Sequence, residues 1–286
     1  MNGTHSFRAV VADCLLPEHW TDLLTGRIGI LRVPGFLSLE RRDAALAALT
    51  DDVFPAYDPM DEFGGIDPES HRQIQSDYLA GSSPDNPPVS RRLGRTLYEH
   101  AARGTAQDFF RCADGFEAAR RKVFSHGGDV IDEILDMLAT VTGKPATVTV
   151  EPGYGRCFAG VIREIHGLSR LHSDDSREET PDFVVGTLPY QLGLYVFLDM
   201  PRRGGDLTVY QREYRTSDKP FRQGYALDSR AVAGDTFVGV TPKAGDLIFF
   251  PARHIHRVDA CSGPGRRIML QAHLGVRPAG DVVCWS

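Results

Sequence analysis

No run in this sequence is apolar for long enough to cross a bilayer, which takes about 20 consecutive, predominantly apolar residues. No C-x-x-C occurs either. The five cysteines, Cys14, Cys112, Cys157, Cys261 and Cys284, are odd in number and scattered. They form neither a disulfide framework nor a zinc knuckle, and a reducing cytoplasm is the expected location. Positive charge is in deficit, with 32 Lys and Arg against 38 Asp and Glu and a formal net charge of −6. That balance gives no electrostatic footprint for nucleic acid or an anionic membrane surface. Residues 1–20 carry Asp13 and Glu18 among short apolar runs and lack a signal-peptide pattern. Internal repeats and low-complexity segments are absent as well.

What is present is a core-forming chain. With 286 residues, 42% of them hydrophobic, it is long enough for one good core with a helical annex. The spacing predicts a strand over Arg27 to Phe36, running into a Pro-Gly turn, and a helix over Leu37 to Thr50 with Ser38 near its N-cap. Asp51 to Pro88 has no strong period and reads as a long connection, of the kind that often carries function in a compact domain. Helices are predicted over Arg91 to Ala102, Ala106 to Phe124 and Gly128 to Thr142. The last has an apolar stripe of Ile131, Ile134, Leu135 and Leu138 and a stop at Gly143.

The character changes after Lys144. Ala146 to Glu151, Arg156 to Glu164, Leu192 to Asp199, Asp206 to Glu213, Asp246 to Phe250 and Arg267 to Leu274 read as short strands separated by Gly and Pro turns. Such a pattern predicts a mainly β fold, a sandwich, jelly roll or barrel, with the N-terminal helices covering one face of the sheet. A single domain over residues 1–286 is expected. Residues 1–145 would form the helical cover and first strands, and residues 146–286 the jelly-roll core.

The chemistry is concentrated in two stretches. In Leu171-His172-Ser173-Asp174-Asp175 an extended backbone turns His172 and Asp174 to one face, because residues two apart share a face of a strand. An imidazole and a carboxylate so placed are two thirds of the two-His-one-carboxylate set that holds non-haem Fe(II) and leaves coordination positions open. The second stretch, Lys243 to Val258, leads a Gly-Asp turn into a buried apolar strand and then into His254 and His256. Either histidine can supply the third ligand on spacing alone.

Beyond them, Arg267, Met269 and Gln271 alternate with the apolar Ile268 and Leu270. An arginine on the interior face of a strand needs an anion, since a buried unpaired guanidinium is costly. The neighbouring Arg266 falls on the other face and ranks second. The order His-x-Asp, His, Arg suits a site for Fe(II), O₂ and 2-oxoglutarate. In it the 2-oxo acid chelates the metal, and its distal carboxylate meets the fork of an arginine.

Several stretches resemble one family, the 2-oxoglutarate-dependent oxygenases that include the cyanobacterial halogenases of hapalindole and welwitindolinone alkaloids. They are Gln75 to Asp85 (loosely), His172 with Asp175, Gly204 to Tyr210, His256-Arg257-Val258-Asp259-Ala260, Arg267 at its offset from His256, and Trp285-Ser286. The resemblance runs from about residue 28 onward and implies a double-stranded β-helix, with metal ligands at His172 and His256 and 2-oxoglutarate on Arg267. It selects His256 over His254. Those halogenases carry glycine where this chain has Asp174, and the vacated position receives chloride. With a carboxylate there, the implied reaction is hydroxylation of an unactivated C–H in a small natural-product intermediate or amino-acid derivative, with release of succinate and CO₂. Desaturation, ring closure and epimerisation start from the same chemistry. A non-redox cupin-like isomerase or binding protein is the alternative outside it. Tyr214 to Val240, Gln75 to Ala80 and the loop with Arg177 are the expected pocket edges.

Overall fold

The computed structural model describes residues 7–58, 68–80 and 89–286. Strands of three or more residues are, in chain order, β1 (Arg8–Val11), β2 (Ile28–Val33), β3 (Arg91–Leu93), β4 (Ala146–Val148), β5 (Val161–Glu164), β6 (Ser169–His172), β7 (Tyr190–Asp199), β8 (Leu207–Glu213), β9 (Phe237–Val240), β10 (Leu247–Pro251), β11 (His254–Val258), β12 (Ile268–Val276) and β13 (Val282–Trp285). The helices are α1 (Pro17–Leu24), α2 (Leu39–Ala48), α3 (Pro68–Leu79), α4 (Leu97–Ala102), α5 (Ala106–Val123), α6 (Val130–Thr142) and the single turn α7 (Ser176–Glu179).

Two sheets carry the architecture. Among the described residues, nine strands form the larger one, in the order β1-β2-β10-β7-β12-β13-β4, with β5 pairing both β12 and β3. The smaller has four strands in the order β9-β8-β11-β6. Ile30, Phe197, Leu207, Val209, Ile248, Phe250, Val258 and Met269 fill the space between them. The other face of the larger sheet is covered by helices. Ile268, Leu270, Ala272 and Leu274 of β12 join Phe109, Ile131, Ile134 and Leu138 in one core there. This is the predicted jelly roll with its helical cover, and period-2 alternation along β12 divides that strand between the two cores.

Local chemistry sets the element ends. Ser38 Oγ accepts from the Arg41 amide at the start of α2, and Asp129 Oδ1 accepts from the Ile131 and Asp132 amides at the start of α6, each an N-cap on otherwise unsatisfied donors. Gly143, at φ 63°, closes α6 in the left-handed region. The Gly-Asp turn before β10 is held by Asp246, which pairs with Arg32 at 2.6 Å and accepts from the Lys243 amide at 2.7 Å.

Four predicted elements differ, the first being Ala146 to Glu151, which splits into β4 and the two-residue strand Val150–Glu151 in another sheet. Arg91 to Ala102 is a strand followed by a short helix, because Gly94 adopts φ 90° with its Cα against the Phe158 ring and Thr96 restarts the chain as an N-cap. Arg156 to Glu164 is interrupted, leaving Gly155–Arg156 paired with Val150–Glu151 and β5 starting only at Val161. Asp51 to Pro88 contains α3, which the polar sequence hides because its stripe is narrow. Residues 59–67 and 81–88 of that stretch, and with them Gly81 to Asp85 of the family-like segment, lie outside the described residues.

Candidate functional site

The smaller sheet presents the site. β6 and β11 are antiparallel neighbours, and their register sets His172 directly against His256, with ring centroids 4.2 Å apart. β6 ends at His172, yet the chain stays tethered, because the Asp174 amide donates to the Ala252 carbonyl at 3.0 Å. His172 Nε2 lies 3.7 Å from Asp174 Oδ1, and His256 Nε2 lies 3.6 Å from Asp174 Oδ2. One ligand-type atom from each of the three residues falls within 4.8 Å of the others. The structure therefore brings together the three residues singled out in the sequence.

Both imidazoles are set for metal binding by their backbones. His172 Nδ1 lies 2.6 Å from the Arg170 carbonyl and His256 Nδ1 lies 2.9 Å from the His254 carbonyl. A carbonyl only accepts, so each Nδ1 carries the proton and each Nε2 offers its lone pair. His256 is fully buried, and its Nε2 has no hydrogen-bond partner among the described residues. Burial first, then the neighbouring His172, pushes the His256 pKa down to about 4, so the ring stays neutral. Burial works against ionisation of Asp174, but a hydrogen bond from His273 and the fields of His256 and His172 outweigh it and hold the carboxyl below its usual range. An orphaned buried nitrogen, two carbonyl-locked tautomers and an ionised carboxylate are a donor set that fits Fe(II).

His254, the competing ligand, faces the other way. Its Nδ1 lies 2.9 Å from the Tyr210 carbonyl and its ring stacks on Phe7. Asp175 also points away from the triad. It caps α7 and pairs with Arg177 at 2.6 Å and with Arg253 at 3.2 Å. Arg177 reaches out to Glu213 and does not line the pocket, contrary to expectation, because Asp175 holds it. His166 is buried beside Glu164 at 3.3 Å.

A cavity of about 270 Å³ opens beside His172 and Asp174. Arg267, Met269, Gln271 and His273 line it from alternate positions of β12 and the residue before it. The guanidinium of Arg267 is buried, donates only to Met269 Sδ at 3.7 Å, and has no ion pair among the described residues. Arg266 is neutralised instead by Glu164, at 2.9 and 2.6 Å. A buried arginine without an acid is a ready receptor for a carboxylate, so the residues present fit 2-oxoglutarate as well as iron.

The far wall comes from the two segments expected there. Asp77 of α3 and Tyr225 of the short hairpin Arg222–Leu227 line the cavity. Asp77 is buried and accepts from Arg170 at 2.8 Å and from the Tyr225 hydroxyl at 2.6 Å. That hydroxyl in turn accepts from the Arg170 amide at 3.1 Å. Gly167 permits the approach, since a Cβ there would sit 2.2 Å from the Asp77 carbonyl oxygen.

His273 is not among the residues singled out in the sequence, nor are Tyr195 and Glu179, which line the same cavity. His273 Nε2 lies 3.5 Å from Asp174 Oδ2, and its ring packs against Trp285 at 5.7 Å. The signal was there, since His273 is the next member of the alternating series Arg267, Met269, Gln271.

Comparison with known proteins bears on this geometry. Residues 72–286 match the family described as carrier-protein-independent halogenase WelO5. The chain is 31% identical, over the full length of both proteins, to an L-γ-glutamyl-L-propargylglycine hydroxylase of Streptantibioticus cattleyicolor. Among solved structures it is similar in fold to an N-substituted L-amino acid dioxygenase of Burkholderia ambifaria. The TM-score is 0.50 at 13% identity, covering 77% of this chain and 83% of that one. The same enzyme in complex with α-ketoglutarate gives a TM-score of 0.50 at 14% identity, covering 77% and 84%. No described helix is long and apolar enough to cross a membrane.

Proposed function

This chain belongs to the WelO5 family of iron- and 2-oxoglutarate-dependent oxygenases, and from that premise we propose that His172, Asp174 and His256 hold its Fe(II) and Arg267 its 2-oxoglutarate. The enzyme is a hydroxylase-type member of the family, acting on a small molecule. Bound at this site, iron supplies the oxidation of a C–H bond by O₂ with conversion of 2-oxoglutarate to succinate and CO₂.

The protein's own groups do the positioning. His172 and His256 turn Nε2 toward Asp174 because each donates its Nδ1–H to a backbone carbonyl, of Arg170 and His254 respectively. Asp174 supplies the anionic ligand at the position that glycine vacates in the resembling halogenases, and so leaves no place for a halide. Arg267 neutralises the far carboxylate of the co-substrate from a buried position, where a charge-assisted bidentate contact is strongest. Tyr195 lines the same cavity, and burial raises its phenol pKa, so it stays a protonated donor.

The observation that carries this reading is the carboxylate of Asp174, set within 3.7 Å of two imidazole nitrogens whose tautomers are fixed. The substrate class we propose is an amino-acid derivative, such as the γ-glutamyl dipeptide on which the hydroxylase relative acts. The cavity of about 270 Å³ includes Arg267, so the substrate shares it with 2-oxoglutarate and has to be small. One oxygenase domain, residues 1–286, and a cytoplasmic location complete the proposal, the latter supported by five cysteines that all remain free thiols.

The test is mass spectrometry of the Fe(II) protein given 2-oxoglutarate, O₂, chloride and a panel of γ-glutamyl and free amino acids. Substrate-stimulated succinate with a product one oxygen heavier is expected. A chlorinated product, or no succinate with any amino-acid derivative, contradicts it.

A further inference from the structure

The charged groups around the cavity nearly all have an answer once the cofactor and co-substrate are in place. Asp77 is met by Arg170 and Tyr225. Asp174 faces the dication, and Arg267 faces the dianion. Arg163, which also lines the cavity, has contacts of its own. One acidic side chain is left over, that of Glu179.

Glu179 ends α7, the turn that follows the His172-x-Asp174 motif, and lines the cavity. Its carboxylate makes no side-chain hydrogen bond or ion pair among the described residues. Burial first, then the charges of Asp174 and Asp175, push its pKa well above the usual carboxylate range against a hydrogen bond from the Asp175 amide, so without a cation beside it the group favours its proton. Among the described residues no Lys, Arg or His pairs with it, and its side chain, only part-buried, lines the cavity. Tyr98, at the start of α4, lines the same cavity. A carboxylate and an aromatic ring that line one cavity can together receive an ammonium group, through a charge-assisted hydrogen bond and a cation–π contact.

Resting on the oxygenase reading above, we propose that Glu179, with Tyr98, is the seat of a primary ammonium group of the substrate. The chemical class is then a molecule with a free amino group, a free amino acid or a γ-glutamyl dipeptide with its α-amine unblocked. Glu179 is a specificity residue, and it carries no part of the metal site.

The test uses the anaerobic Fe(II)·2-oxoglutarate enzyme, whose visible charge-transfer band reports both metal–co-substrate assembly and substrate arrival. L-Norvaline, L-lysine and L-γ-glutamyl-L-propargylglycine are titrated, each beside its N-acetylated twin. At least one free amine is expected to shift the band saturably, while its acetylated twin does not. Glu179→Gln should weaken that binding on the order of thirtyfold or more, with the starting band and melting temperature as in wild type. Glu179→Asp, which keeps the charge, should retain the preference for the free amine. Acetylated twins binding as well as the amines, Glu179→Gln binding as tightly as wild type, or no free amine binding at all would each overturn the ammonium assignment. A wild-type enzyme that forms no band would instead overturn the oxygenase reading.

Discussion

His273 Nε2 stands 3.5 Å from Oδ2 of Asp174, as close as His256 Nε2 at 3.6 Å, so the carboxylate is steered by an imidazole outside the triad. Partners of this kind orient a ligand and tune its basicity. His273→Ala should weaken metal binding on the order of 10- to 100-fold, measured by equilibrium titration with Co(II) in place of iron. His273→Asn, which keeps a donor, should recover part of the loss. Unchanged affinity in both variants would reduce His273 to a packing residue against Trp285.

The two histidines of β11 should separate cleanly. His256→Ala removes a buried lone pair aimed at the triad and should abolish stoichiometric Co(II) binding. His254→Ala removes a ring stacked on Phe7 at 5.9 Å and should lower the melting temperature while leaving metal stoichiometry intact.

Arg267→Leu should raise the 2-oxoglutarate Kd by tens to thousands, about 2–5 kcal/mol, with little change in metal affinity. Arg267→Lys should rescue only in part, because an ammonium lacks the planar fork. Isothermal titration of the metal-loaded variants decides the matter, and an unchanged Kd in the leucine variant would refute the assignment.

Asp77 joins α3 to β6 through Arg170 and Tyr225. Asp77→Asn should cost about 1.5–3 kcal/mol, the range for hydrogen bonds to a charged group, and the lower end is expected because the Arg170 side chain is 42% exposed. Urea unfolding gives the number. The visible band of the Fe(II)·2-oxoglutarate complex should also shift in this variant, because the Arg170 carbonyl sets the His172 tautomer.

The five thiols should fall into two classes. Cys14 and Cys112 are exposed, whereas burial pushes Cys157 and Cys284 up to about 12 and raises Cys261 as well. Since the thiolate is the reactive form, iodoacetamide near pH 8 should label the native protein at Cys14 and Cys112 alone, and the unfolded protein at all five. Peptide mass mapping reads this out.

Much of the site was legible because strand alternation is a strict code. His172 with Asp174, and Arg267 with Gln271, share faces in the sequence as they do in the structure. The same code places His273, two residues beyond Gln271, on that face as well. Glycine-imposed breaks were harder to see, since Gly94 and Gly160 interrupt apolar patterns that continue on either side. α3 was hidden by composition, because only Ser70, Gln73, Ile74 and Asp77 of its twelve residues are buried and three of those are polar. The roles of Asp77 and Glu179 depend on contacts 93 residues away and on a cavity, respectively, and no local pattern encodes either.

The central claim is that Asp174 occupies the position a halide would need. Its most direct test is a chloride titration of the anaerobic Fe(II)·2-oxoglutarate complex, followed by visible spectroscopy, with wild type and Asp174→Gly side by side. The wild-type charge-transfer band should form and stay unmoved by chloride, while that of the glycine variant should shift saturably as the opened position fills. A wild-type band that shifts with chloride as the variant's does would show that Asp174 is not on the metal, and would contradict the account.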